Sequence, residues 1–243
     1  MSVILHGGGS GAALSASLER LVREAAARSR REGAPLLACV VAAEGGTLAS
    51  YQRGWEKAIR EAGGEARMLV VPLDASGTPE REIDLAELTT ADALVVAGGL
   101  TPGYLEALAP LSTDIRRLVS EGMPYLGSSA GAMIAATSAL VGGWRIGGVP
   151  VAREEWSEGL DEVELREGLG LIDVTIDVHA VEQGLLTRAI AAVEAGLADA
   201  VLAIDEGASL VVAEGALEIL GAGSVWRAVA TEDGVAVRSD RAA

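Results

Sequence analysis

Leu36-Leu37-Ala38-Cys39-Val40-Val41-Ala42, residues 36–42, is an uninterrupted apolar run. A strand with one solvated face alternates in polarity. A run without alternation reads as a strand covered on both faces, the condition of an internal strand in a parallel sheet. On its N-terminal side Ser2-Val3-Ile4-Leu5 predicts a first strand that ends in the turn His6-Gly7-Gly8-Gly9. Between the two, Leu14, Leu18, Leu21, Val22 and Ala25 fall on one helical face, with Arg20, Arg23 and Glu24 off it. On the C-terminal side the spacing predicts a helix over about Leu48–Ala62, a strand over Ala66–Pro72, and another over Ala93–Ala97 closed by Gly98-Gly99. Thr101-Pro102 supplies an N-cap and a first-turn proline for a helix that breaks before Pro110 and resumes with Ile115, Leu118 and Val119. Pro124-Tyr125-Leu126 then makes a short strand. This alternation of strand and helix implies an α/β fold, a mostly parallel sheet with helices on both faces.

Beyond residue 142 the texture changes. Gly142 to Gly170 is rich in glycines and acids, Glu154, Glu155, Glu158, Asp161 and Glu162 among them, and reads as a long surface excursion, a candidate lid. A strand over Val174–Val178 is expected in the same parallel sheet, followed by a helix over Glu182–Ala195. The short strands Val201–Ile204, Ser209–Val212, Leu217–Leu220 and Val225–Val229, joined by glycine turns, predict an antiparallel edge. The chain, residues 1–243, reads as one α/β domain without repeats.

Half of the 243 residues are apolar and the formal charge is −16. That charge, with no basic cluster, argues against nucleic-acid binding. No run approaches the roughly 20 apolar residues that span a bilayer, and Met1–Leu5 passes directly into a glycine turn, so neither a membrane segment nor a secretory signal is expected. The single cysteine, Cys39, excludes an internal disulfide and a cysteine-rich zinc site, which fits a cytoplasmic protein. There is no Phe, and only three Tyr and four Trp, so Leu, Val, Ile and Ala must fill the core.

The strongest chemical signal is Gly127-Ser128-Ser129-Ala130-Gly131-Ala132. A G-x-S-x-G sequence between a strand and a helix, here read as Ala130–Leu140, exposes its serine on a tight turn where the helix N-terminus favours negative charge. The same letters would serve a plain capping turn. A serine hydroxyl needs a base, most often histidine, and the chain has only His6 and His179. His179 ends the run Val174–Val178 and so falls at the strand's carboxyl end, the edge that carries Ser129. His6, in the first glycine turn, reads as structural. The base needs an orienting carboxylate. Glu206 in Ile204-Asp205-Glu206-Gly207 is the first choice and Glu154 or Glu155 the fallback, while Asp177, two residues before His179 on a strand, points away. Acyl transfer also requires donors for the oxyanion, and the amides of Gly99 and Ala130 are the candidates. Thr101, Arg188 and Arg145 are candidates to meet a substrate, although for each arginine a surface position is the more ordinary reading.

These segments resemble the family of dipeptidase E and cyanophycinase, serine peptidases with a fold similar to the class I glutamine amidotransferases and flavodoxin. Gly98-Gly99-Leu100-Thr101 looks like the family's Gly-Gly turn, Gly127 to Ala132 like its G-x-S-A-G-A nucleophile segment, Ile176-Asp177-Val178-His179 with Arg188 like its I-D-x-H segment, and Ile204 to Val212 like the segment bearing the proposed triad glutamate. The resemblance implies a serine peptidase acting on an aspartyl peptide or on the aspartate–arginine polymer cyanophycin, with no metal or organic cofactor. A homodimer is a candidate assembly. Three departures stand out. Leu100 and Thr101 replace a polar residue after the Gly-Gly turn. The acid that follows the serine helix is missing from Gly143-Trp144-Arg145-Ile146, and Ala180 stands where an aromatic follows the histidine.

A lipase-like α/β-hydrolase would place its histidine near the C-terminus, after the acid, whereas more than sixty residues follow His179. A glutamine amidotransferase needs cysteine at the elbow, and Cys39 lies in an early strand. A non-catalytic domain of the same fold that binds a peptide or metabolite is the remaining alternative, opposed by the presence of both Ser129 and His179.

Overall fold

The computed structural model describes residues 2–213 and 216–242. Its first half follows the alternation read from the sequence. Strand β1 (Ser2–His6) leads into α1 (Ala12–Arg28), whose buried face is Ala13, Ser17, Leu18, Leu21, Val22 and Ala25. Strand β2 (Leu36–Glu44) is buried from Leu36 to Ala42, as its unbroken apolar run requires. Helix α2 (Gly45–Glu61), strand β3 (Glu65–Leu73), helix α3 (Leu85–Thr89) and strand β4 (Ala93–Val96) follow. Asp84 caps α3 through a capping box with Glu87. Helix α4 (Thr101–Leu108) gives way at Pro110 to a 3₁₀ turn and then to α5 (Ser112–Ser120). The cap of α4 is Leu100, and Thr101 is its first helical residue. Strand β5 (Tyr125–Ser128) then enters α6 (Ala130–Met133).

The second half departs from expectation at α6, a single turn where the sequence predicts an eleven-residue helix. Ser138–Gly142 is strand β6, and after the β7 (Arg145–Ile146) and β8 (Val149–Pro150) hairpin it pairs with β9 (Glu164–Glu167). A short apolar run carries no period that separates helix from strand, and a pairing partner 25 residues away decides it. The excursion is thus partly ordered into strands rather than irregular.

Strand β10 (Thr175–Val178), helix α7 (Leu186–Glu194) and strands β11 (Ala200–Ile204), β12 (Ala208–Ala213), β13 (Ala216–Gly221), β14 (Ser224–Thr231) and β15 (Gly234–Arg241) complete the chain. The main sheet has seven strands in the order β13-β12-β1-β5-β4-β2-β3, parallel from β1 to β3, with β12 and β13 forming the antiparallel edge. This mostly parallel sheet flanked by helices is a flavodoxin-like, class I glutamine amidotransferase-like α/β fold. Strand β10 is not in it. It pairs with β11 in a second sheet, β10-β11-β14-β15, so the expectation of one shared sheet is corrected. Buried side chains of both sheets nevertheless form one continuous apolar cluster. No helix among the described residues is long and apolar enough to cross a membrane.

The sheet order positions the chemistry. Neighbours β1, β5 and β4 end at the same carboxyl edge, where His6 lies beside Ser128 and Gly127 beside Val96. In open α/β sheets the crevice outside those carboxyl ends is where ligands bind.

Candidate active site

Ser129 follows the last residue of β5 and has φ 52° and ψ −113°, a backbone conformation that L residues avoid. Strain of this kind costs on the order of 1–3 kcal/mol and persists only where packing enforces it. Here the enforcement is close packing: a Cβ at Gly127 would strike the Gly131 carbonyl, and one at Gly131 would strike the Val96 carbonyl. The Ser129 amide donates to the His6 carbonyl at 3.0 Å, tying the turn to β1. Only two other described non-glycine residues have positive φ, and one of them is His179 at 51°.

The Ser129 hydroxyl lies 2.9 Å from His179 Nε2, and His179 Nδ1 lies 2.7 Å from Glu206 Oε1. The carboxylate accepts from Nδ1–H, which leaves the Nε2 lone pair to accept from the serine hydroxyl. Although β10 belongs to the second sheet, His179 N–H donates to the Gly7 carbonyl at 3.1 Å and so docks on the end of β1. Glu206 comes from the turn after β11, which Asp205 fixes by accepting from Ser224 N–H and Trp226 Nε1–H. Glu154 and Glu155 lie in an exposed 3₁₀ turn, where Glu155 pairs with Arg153. Neither meets His179.

The backbone amides of Gly99 and Ala130 meet no acceptor among the described residues, one at the turn after β4 and the other at the start of α6. Gly98, directly before Gly99, is clamped on both sides by phenols. Its N–H donates to Tyr51 Oη at 3.0 Å and its carbonyl accepts from Tyr104 Oη at 2.8 Å. The third tyrosine of the chain, Tyr125, donates to the Gly131 carbonyl at 2.7 Å. All three tyrosines therefore hold backbone beside the serine, a role no spacing in the sequence announces.

The first glycine turn has a part that the sequence reading left out. Gly8 packs against the His179 ring and Gly9 against the Glu206 carboxylate, so closely that a Cβ at Gly8 would overlap Cε1. His6 is fully buried, accepts from Gly8 N–H at Nδ1 (3.1 Å) and lies 3.1 Å from Ser128 Oγ. Its role is structural, as expected. Burial, and next the neighbouring His179, push its pKa down to about 4. The unfolded chain takes up this proton from about pH 6.5 downward, whereas the folded chain resists it until about pH 4. The stabilisation is therefore complete above pH 6.5 and is lost as pH falls toward 4, by about 3 kcal/mol in all. Urea unfolding at pH 7 and pH 5 should accordingly show a pH-dependent loss of stability that is smaller in His6→Asn by about 2 kcal/mol; equal losses in the two proteins would contradict it.

Two candidate substrate contacts are corrected. Arg188 is neither at the surface nor in the cleft: its guanidinium is buried, paired with both oxygens of Asp177 at 2.6 and 2.9 Å, and bonded to the carbonyls of Gly143 and Trp156. Its partner Asp177 does point away from His179, for this reason. Thr101 is also buried, with Oγ1 against Met133 Sδ, and its N–H donates to Glu158 at 3.0 Å. The excursion thus reaches the start of α4 through Glu158, whose carboxyl burial pushes upward in pKa. None of residues 142–170 lines the cavity beside Ser129, so the excursion braces the fold instead of covering the site. Arg145 stacks on Trp144, its guanidinium carbon 3.7 Å from the ring centre.

The profile of Peptidase family S51 matches residues 42–220, a span that includes the elbow, His179 and Glu206. The chain belongs to peptidase family S51. It is accordingly a serine peptidase of the dipeptidase E and cyanophycinase group, acting on small peptides or amides. Among solved structures it resembles a peptidase from an acI-B1 Actinobacterium, with a TM-score of 0.69 and 20% identity over 99% of this chain and 94% of the other. It also resembles a putative peptidase E protein from Listeria monocytogenes EGD-e, with a TM-score of 0.56 and 15% identity over 90% and 98% of the two chains. At such identities the likeness establishes the shared fold. No curated protein matches the S51 chain significantly.

Proposed function

We propose that this S51 peptidase cleaves a small peptide or amide through an acyl-enzyme on Ser129, with His179 as base and Glu206 as its orienting carboxylate. The observation that carries the reading is the unbroken relay from Ser129 Oγ through both ring nitrogens of His179 to Glu206. Ser129 attacks the carbonyl carbon while His179 Nε2 takes the hydroxyl proton. The imidazolium that forms is stabilised by the Glu206 carboxylate, and neutral His6 adds no opposing charge. The oxyanion is received by the Gly99 and Ala130 amides, whose freedom from other acceptors suits them to it. Collapse of the tetrahedral intermediate expels the amine, which leaves with the proton from His179. Water then attacks the ester, with His179 again the base, and releases the acid. The buried lone thiol Cys39 fits a reducing compartment, and the cytoplasm is the location we favour.

A fluorophosphonate reagent tests the assignment directly. Labelling should reach one equivalent per chain, disappear in Ser129→Ala and slow strongly in His179→Ala. Undiminished labelling of Ser129→Ala would refute the nucleophile.

A further inference from the structure

The cavity beside Ser129 encloses about 970 Å³, room for a short peptide, and its walls are Leu14, Tyr51, Trp55, Leu73 and Leu100 with small residues between them. Tyr51 and Trp55 meet edge to face, ring centres 6.5 Å apart, and make one side of it rigid and aromatic. Among the described residues no Lys or Arg lines this cavity, and apart from His179 and the phenol of Tyr51 its only ionisable residue is the exposed Glu44.

Such a lining selects by chemistry. An aspartyl side chain entering it would give up water without gaining a cation, and it would lie in the field of Glu44 and Glu206. An aliphatic or aromatic side chain would instead be covered by apolar wall. Glu44 places a negative charge on the wall that favours a cation opposite it, and the charge of −16 on the whole chain favours positive over negative ligands. One residue can satisfy all three features if it carries a free α-amine, an apolar side chain and the carbonyl that Ser129 attacks.

Resting on the peptidase reading above, we infer that the substrate is a short peptide with a free, apolar N-terminal residue whose side chain fills this cavity and whose ammonium faces Glu44, and that aspartyl peptides are poor substrates. Leu100, which stands after the Gly-Gly turn and lines the cavity, is then a specificity residue that favours apolar side chains.

The test compares leucyl-, phenylalanyl- and aspartyl-p-nitroanilide, which share one leaving group, with active sites counted by fluorophosphonate labelling. The leucyl or phenylalanyl substrate should exceed the aspartyl one at least tenfold in kcat/KM, the discrimination expected when an apolar group gains or loses a matched wall. Acetylating the amine of the leucyl substrate should raise its KM severalfold. Glu44→Gln should raise KM for the free amine by a similar factor, with a smaller change in kcat, and leave KM for the acetylated substrate nearly unaltered. An aspartyl substrate cleaved as fast as the apolar ones, or equal sensitivity of both leucyl substrates to Glu44→Gln, overturns the inference while labelling at Ser129 leaves the hydrolase reading intact. Absence of labelling overturns both.

Discussion

Replacing Ser129 by Ala should lower kcat/KM on a small peptide by about 10⁴ or more, and His179→Ala should do nearly as much damage alone. The reason is that the two groups act as one device. The hydroxyl is a weak nucleophile until Nε2, 2.9 Å away, accepts its proton. Combining the two substitutions should therefore cost little more than either, because each alone already disables the step that both serve. Glu206→Gln keeps an acceptor for Nδ1–H but removes the charge opposite the imidazolium, so a smaller loss of about 10²–10³ is expected, mainly in kcat. Steady-state kinetics on the four variants decide the matter. Additive losses for Ser129→Ala and His179→Ala would break the relay. Full activity of Glu206→Gln beside an inactive Glu154→Gln or Glu155→Gln would move the carboxylate role elsewhere.

Gly8→Ala should lower kcat by about 10² or more although it touches neither the nucleophile nor the peptide carbonyl. Gly8 has φ 102°, and a methyl group there would occupy the space of His179 Cε1. Either the ring swings away from Ser129 or the turn after β1 shifts, and the same β1 terminus holds His179 through the Gly7 carbonyl and Ser129 through the His6 carbonyl. Both movements spoil the 2.9 Å contact. Gly11→Ala provides the control. With φ 130° it bears a similar backbone penalty, yet no atom lies within 4 Å of its added methyl. It should cost about 1 kcal/mol of stability and leave kcat within twofold. Comparable kinetics for the two variants would mean that the glycine turn does not seat the base.

Much of this protein is legible locally. The apolar run Leu36–Ala42 announced a strand buried on both faces, and the strand, glycine and small-residue succession from Tyr125 to Gly131 announced a tight turn bearing Ser129, because backbone sterics act over a few residues. Ala130–Leu140 misled because a short apolar segment forms a helix or a strand with similar ease, and the choice fell to pairing with Glu164–Glu167. Arg188 misled for a related reason. A charged residue is ordinarily at the surface, and only Asp177 and two carbonyls from the excursion make its burial tolerable.

By itself the sequence determined the α/β alternation, the serine elbow and a histidine ending a later strand, since each follows from the periodicity or conformational limits of adjoining residues. Only the tertiary structure decided which carboxylate reaches His179, that the histidine arrives on a second sheet, that Gly8 and three tyrosines hold the site in register, and that the cleft is apolar with Glu44 on its wall. Those features join residues from 8 to 206, and contacts across such separations are set by how sheets stack and close-pack, which no local pattern encodes.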